Sequence, residues 1–141
     1  MNRGYIYTLG QEHAPQAFAV GLRLPRAHLR VSAADVSTYR RVVTLIDWHA
    51  GGGDLLAGPD CPEMYFLTGR VNPLGTLFDF LSDEGAAVDR PADSDAWAGT
   101  NVVVLNHQAD FSPPPSSARV AEIRKVFKTG ELVGKFEVRW R

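Results

Sequence analysis

Cysteine is nearly absent from this chain of 141 residues, in which Cys61 is the only one. A single cysteine excludes an internal disulfide and a cluster of thiolate metal ligands. The formal net charge is only −1 at pH 7, so the overall charge does not favour nucleic acid as a partner. No apolar run approaches the roughly 18–20 residues that span a bilayer, and residues 1–4 lead into strand-like sequence rather than a signal peptide. The sequence taken by itself predicts a soluble chain.

Recognised catalytic and cofactor-binding motifs are also missing. The chain has no Gly-x-Ser-x-Gly turn for a nucleophilic serine, no P-loop and no Gly-x-Gly-x-x-Gly turn for a dinucleotide. Its histidines lack an acidic or histidine partner at the spacing of metal ligands; they are His13, His28, His49 and His107. We therefore predict no catalytic residue, no metal site and no cofactor within this chain.

The composition is that of an ordinary globular domain, with 45% hydrophobic and 22% charged residues. Apolar residues at helical spacing follow Ser32 and stop at Gly51, and a second helix starts at Ser116 or Ser117 and closes at Gly130. Strand-like segments are at 4–9, 17–22, 55–57, 102–105 and 134–141, with short helices after Asp60 and Thr76. This order predicts one α/β domain over residues 1–141, with a small, mainly parallel sheet flanked by helices and a C-terminal edge strand.

The clearest local signals lie between Asp60 and Gly69. Asp60 precedes a short apolar block, and Glu63 follows three residues later, which is the spacing of a capping box. Pro62 is tolerated in the first helical turn and Gly69 is a natural stop. These four residues predict a structural motif, a short capped helix. Alternatively, Asp60 and Glu63 act as an acid–base pair or bind a hard cation; the capping role is the favoured interpretation.

Four residues are candidates for substrate binding. Arg70 and Asn72 follow the short helix, where a guanidinium beside an amide can contact a sugar or phosphate, or can instead hold the loop in place. Tyr65 can stack on a sugar ring, although it can equally fill the core. His107 follows the predicted central strand, where functional groups often lie in α/β proteins, but a histidine there is more often an ordinary loop residue.

Three segments together resemble a known family, and we call them the first, second and third landmarks. The first landmark is GPDCPEMYFLTGRVNP at 58–73 with LFDF at 77–80, the second is VVLNH at 103–107 with FS at 111–112, and the third is VGKFEVRWR at 133–141. Their content and order resemble the C-terminal extracytoplasmic region of bacterial polytopic GT-C type glycosyltransferases. These are related to protein O-mannosyltransferases and to the aminoarabinose and other polyprenyl-phosphate-sugar transferases.

The resemblance implies a soluble piece of a larger membrane protein on the extracytoplasmic face of the cell membrane. The membrane helices and catalytic carboxylates of such enzymes are not in this chain, which implies an accessory domain that helps to position the acceptor or the donor. The implied partners are the membrane-embedded part of the same polypeptide and a polyprenyl-phosphate sugar or a glycan acceptor. Family members usually have threonine directly after the proline, whereas Leu74 follows Pro73 here. The resemblance therefore implies no role for a threonine at this position. The alternative is a free-standing small α/β enzyme or ligand-binding module with a site near Asp60, Arg70 and His107.

Overall fold

The computed structural model describes residues 20–21, 24, 30–73 and 98–141. The elements in chain order are β1 (Val20–Gly21), β2 (Arg30–Val31), α1 (Ala33–Ala50), β3 (Asp54–Gly58), α2 (Glu63–Thr68), β4 (Thr100–Asn106), α3 (Ser117–Val126), β5 (Thr129–Val133) and β6 (Phe136–Trp140). β1 pairs with β2 as a short antiparallel ladder. The predicted strand at 4–9 and the predicted helix after Thr76 lie outside the described residues.

Four strands form one mixed sheet in the order β3-β4-β6-β5, which confirms the predicted α/β character. Only β3 and β4 run parallel, while β4–β6 and β5–β6 are antiparallel. The prediction of a mainly parallel sheet is therefore wrong. The physical reason is that the chain leaves α3 through β5, which runs in the same direction as β4, before it reaches β6. The two-residue turn at Gly134 and Lys135 then reverses the chain, because a connection this short can join only antiparallel strands. Gly134 has a φ of 59°, a left-handed conformation that glycine adopts without a Cβ penalty.

The predicted C-terminal edge is formed by the β5–β6 hairpin, in which β5 is the outermost strand and β6 is next to it. The sequence prediction missed β5, because residues 129–133 alternate only weakly, and the predicted helix closes at Gly130 with no strand before residue 134. The predicted strand at 134–141 corresponds to β6, which pairs with β4 on one side and β5 on the other.

The two faces of the sheet pack against different helices. One apolar cluster joins α1 and α2 to one face, and it contains Ile46, Met64 and Phe136. A smaller cluster joins α3 to the other face through Ile123 and Phe127. No helix among residues 30–73 and 98–141 is long and apolar enough to cross a bilayer. The helices α1 and α3 cover opposite faces, and the loops at the carboxyl ends of β3 and β4 lie at the same end of the sheet because these two strands are parallel.

On the α3 face, β6 carries two charged side chains, Glu137 and Arg139. Cross-strand register places Glu137 beside Leu105 and Arg139 beside Val103, so both charged side chains share a face with the α3 core. Glu137 is only 5% exposed. Side chains of α3 and of the loop after β4 enclose the carboxylate.

Candidate functional site

Asp60 joins the loop that follows β3 to the loop that follows β4. One carboxylate oxygen accepts hydrogen bonds from the backbone N–H groups of Phe111 and Ser112, each at 2.7 Å. The other oxygen accepts from the Ser112 hydroxyl at 2.6 Å. Although burial opposes the charged form, these hydrogen bonds from Ser112 and Phe111 hold the pKa of Asp60 below its usual range. The parallel pairing of β3 and β4 makes this contact possible, because it places both carboxyl ends at the same edge of the sheet.

The predicted capping box of α2 is not formed. Asp60 has a φ of 50° and its carboxylate is turned toward the β4 loop, while the N-cap position is Pro62, which makes no side-chain cap hydrogen bond. Glu63 instead accepts a hydrogen bond from the Tyr39 hydroxyl of α1 at 3.1 Å. Three donors on the β4 loop outcompete the N–H groups of a helix of only six residues. The predicted stop is confirmed, because Gly69 is left-handed with a φ of 68°.

The Arg70 side chain lies away from Asp60 and His107. Its Nη1 donates to the Gly53 carbonyl at 2.8 Å and its Nη2 donates to the Gly51 carbonyl at 3.1 Å. Both carbonyls belong to the turn before β3, whereas Asp60 follows the other end of that strand. At about 3.3 Å per residue, the strand separates the two ends by about 15 Å. The structure therefore does not bring Arg70 together with Asp60 and His107.

Tyr65 fills the core, the alternative already open for it on sequence grounds. The residue is 6% exposed, and its hydroxyl accepts a hydrogen bond from the backbone N–H of Ala57 at 2.8 Å. That N–H lies on the side of β3 not paired with β4. Burial raises the pKa of Tyr65 to about 12. The ring is thus unavailable for stacking on a sugar. Asn72 is half-buried and makes contacts of its own.

His107 belongs to a polar cluster on the α3 face. Its Nε2 lies 2.8 Å from Oε2 of Glu137, and its backbone N–H donates to the Lys135 carbonyl at 2.9 Å. Arg124 of α3 donates to both oxygens of Glu137, at 3.0 and 2.8 Å, and Arg139 donates to one of them at 2.8 Å. We call His107, Arg124, Glu137 and Arg139 the Glu137 cluster.

The Glu137 carboxylate stays ionised throughout the physiological range. Its side chain is 7% exposed, and burial by itself would raise its pKa. The hydrogen bonds from Arg124, Arg139 and His107 outweigh that effect and lower the pKa of Glu137 to about 2. An ionised carboxylate can only accept, so Nε2 of His107 carries the proton of this contact.

A cleft of about 570 Å³ opens beside the Glu137 cluster, between α3 and the β5–β6 hairpin. Its walls include His107, Arg124, Arg139 and residues 130–132 of β5. Ligand sites typically measure roughly 300–1,000 Å³. Sequence reasoning found His107 but missed the other three members of the cluster, which lie 17, 30 and 32 positions later in the chain. No local pattern connects residues at such separations.

Cys61 belongs to the core rather than to a reactive group. It is fully buried, and burial raises the pKa of its thiol well above the usual value. Among the described residues, no group of three or more histidine, cysteine, aspartate or glutamate side chains has the arrangement of a metal site.

Comparison of the chain with protein-family models, with curated proteins and with solved structures finds no match in any of the three.

Proposed function

We propose that this chain is an accessory domain of a membrane glycosyltransferase that uses a lipid-linked sugar donor. In this proposal the domain lies at the extracytoplasmic face of the cell membrane and helps to position the acceptor or the donor. The membrane-embedded part of the transferase carries out the chemistry.

One observation carries the proposal: the three landmarks meet at one end of the sheet. Asp60 of the first landmark is bonded to Phe111 and Ser112 of the second. His107 of the second is bonded through its backbone to Lys135 and through its side chain to Glu137, both in the third. Segments that resemble one family in content and order are therefore in contact with one another at the carboxyl ends of β3 and β4.

The pKa values and hydrogen bonds of the carboxylates where the landmarks meet support an accessory role. Asp60 and Glu137 both have a lowered pKa and both are occupied as acceptors of hydrogen bonds. A general acid for sugar transfer needs a raised pKa and an exposed proton. These two side chains organise loops rather than exchange protons with a substrate.

Site-specific photo-crosslinking in the source organism tests the proposal. A photoreactive amino acid replaces Phe111, which is 73% exposed at the landmark end. The matched control places it at Lys128, which is exposed just after α3, at the opposite end of the sheet. We expect Phe111 to crosslink to a polytopic glycosyltransferase segment, identified by mass spectrometry, and Lys128 not to do so.

Three results would overturn the proposal. The first is equal crosslinking of both positions to that segment, and the second is crosslinking of neither position. The third is sugar transfer from a polyprenyl-phosphate donor by the purified chain alone, because an accessory domain does not catalyse that reaction.

A further inference from the structure

The Glu137 cluster holds more positive charge than its single carboxylate balances. Arg124 and Arg139 are both cationic and share Glu137 as their partner, which leaves an excess of one positive charge before His107 is counted. Lys135 also lines the cleft and adds to the excess, with its ammonium over the ring of Phe136, 5.3 Å from the centroid. The other acid beside the cleft, Glu131, is paired with Arg41 of α1.

The three basic members of the Glu137 cluster differ in how many of their side-chain nitrogens already form hydrogen bonds. Arg139 is 14% exposed and all three of its nitrogens donate, to the carbonyls of Phe127 and Lys128 and to Glu137. Arg124 is 51% exposed and His107 is 36% exposed. Among the described residues, Nη1 of Arg124 and Nδ1 of His107 have no hydrogen-bond partner. Glu137 thus holds the guanidinium and the imidazole in place while one nitrogen of each remains available.

The cleft also has an apolar wall. Leu132 of β5 lies directly opposite Glu137 in the hairpin register, is 68% exposed and lines the cleft. An exposed leucine beside a positively charged cluster matches a ligand whose anionic group contacts the cluster and whose less polar part contacts the leucine.

We propose that the cleft between α3 and the β5–β6 hairpin binds a small organic phosphate, whose phosphate group is held by Arg124 and His107. A phosphate carries several oxygens and up to two negative charges, so it accepts from Nη1 of Arg124 and, when the His107 ring is protonated, from Nδ1 as well, and it neutralises the excess charge of the cluster. Glu137 and Arg139 are positioning residues. This site is distinct from the Asp60 contact, and the inference does not rest on the proposed accessory role.

Titration of the isotope-labelled chain, followed by nuclear magnetic resonance at constant ionic strength, tests the site. The probes are inorganic phosphate, a hexose 1-phosphate, a hexuronate, and phosphatidylcholine vesicles containing phosphatidic acid. We expect saturable shifts at residues 107–108, 124 and 130–137 with the phosphate probes. Tighter binding of the hexose phosphate identifies a soluble ligand, whereas binding of the vesicles alone identifies a lipid headgroup; both support recognition of a phosphate group.

Matched variants separate a specific site from general attraction. Arg124→Met should weaken binding by about tenfold or more, as expected for loss of a charge-assisted hydrogen bond. His107→Ala should also weaken it, and this half-exposed position is a second variant in case Arg124→Met does not fold. Lys125→Met removes the same charge from the neighbouring position of α3, outside the cleft, and should leave binding within about twofold.

Three outcomes would overturn the inference. The first is the absence of saturable shifts with every phosphate probe. The second is tighter binding of the hexuronate than of the hexose phosphate, which would make the site one for carboxylates. The third is equal weakening by Arg124→Met and Lys125→Met, which would reduce the effect to long-range attraction.

Discussion

Asp60 and Ser112 are bonded twice, since the backbone N–H and the hydroxyl of Ser112 both donate to the same carboxylate, at 2.7 and 2.6 Å. The two residues are 52 positions apart in the chain. Their contact connects the start of α2 to the segment that leads into α3, and it holds these two loops together at the carboxyl ends of β3 and β4.

Asp60→Asn should destabilise the fold by about 2 kcal/mol, because the amide loses the negative charge and one of the two accepting oxygens. Urea denaturation measures this change. The matched control is Asp110→Asn, which removes the same charge from an exposed position of the same loop and should change stability by less than about 0.5 kcal/mol. Equal effects of the two substitutions would show that the Asp60 hydrogen bonds contribute no stability.

Tyr65→Phe should cost about 1–3 kcal/mol, because it leaves the N–H of Ala57 in a buried position without its acceptor. The ring itself is retained, so the packing of the core changes little. Amide hydrogen exchange gives the most direct reading, with the exchange of Ala57 accelerated more than that of Val104, whose strand is paired on both sides. Unchanged exchange at Ala57 would contradict the role of the hydroxyl.

The low pKa of Glu137 predicts a loss of stability in acid. Its pKa falls from a usual 4.5 to about 2 on folding, so its contribution is complete above about pH 4.5 and is lost as the pH falls to about 2. The size of this contribution is roughly 3 kcal/mol. Glu137→Gln should therefore be strongly destabilising at pH 7 and much less so near pH 2, as measured by denaturation at both values.

Glu122→Gln serves as the control for that experiment. Glu122 forms a surface pair with Arg119 on α3 at 3.0 Å and is half-exposed, and such pairs contribute about 0–1 kcal/mol. If Glu137→Gln and Glu122→Gln have similar effects at pH 7, the Glu137 cluster does not stabilise the fold.

Glu63 should behave in the opposite way. Burial raises its pKa, and the hydrogen bond from Tyr39 only partly offsets this. A raised pKa means that its stabilising contribution is present below the usual pKa of a glutamate and is lost as the pH rises through the folded-state value. Glu63→Gln should be nearly neutral at pH 4 and should increase stability at pH 7. A variant that is less stable than the native chain at pH 7 but not at pH 4 would contradict this sign.

Much of the local structure follows from short-range signals. The helical pattern that follows Ser32 forms α1, and the Ser32 hydroxyl accepts a hydrogen bond from the Asp35 N–H at 3.1 Å. Ser116, one of the two predicted starts of the second helix, caps α3 in the same way at Arg119. The apolar run at 102–105 is buried as predicted. In each case the signal and the structure lie within about four residues of one another, because helix caps and strand periodicity depend on neighbours along the chain.

The sequence by itself thus determined the positions of the helices, the N-caps of α1 and α3, the central strand and the α/β class. Only the tertiary structure decided that Asp60 bonds to the β4 loop rather than to its own helix, that Arg70 contacts the turn before β3, and that the sheet is mostly antiparallel. The Glu137 cluster also depends on it, since its members come from the loop after β4, from α3 and from β6. The physical reason is that a charged side chain takes the best donors or acceptors within reach, and which groups are within reach depends on how strands distant in sequence pair.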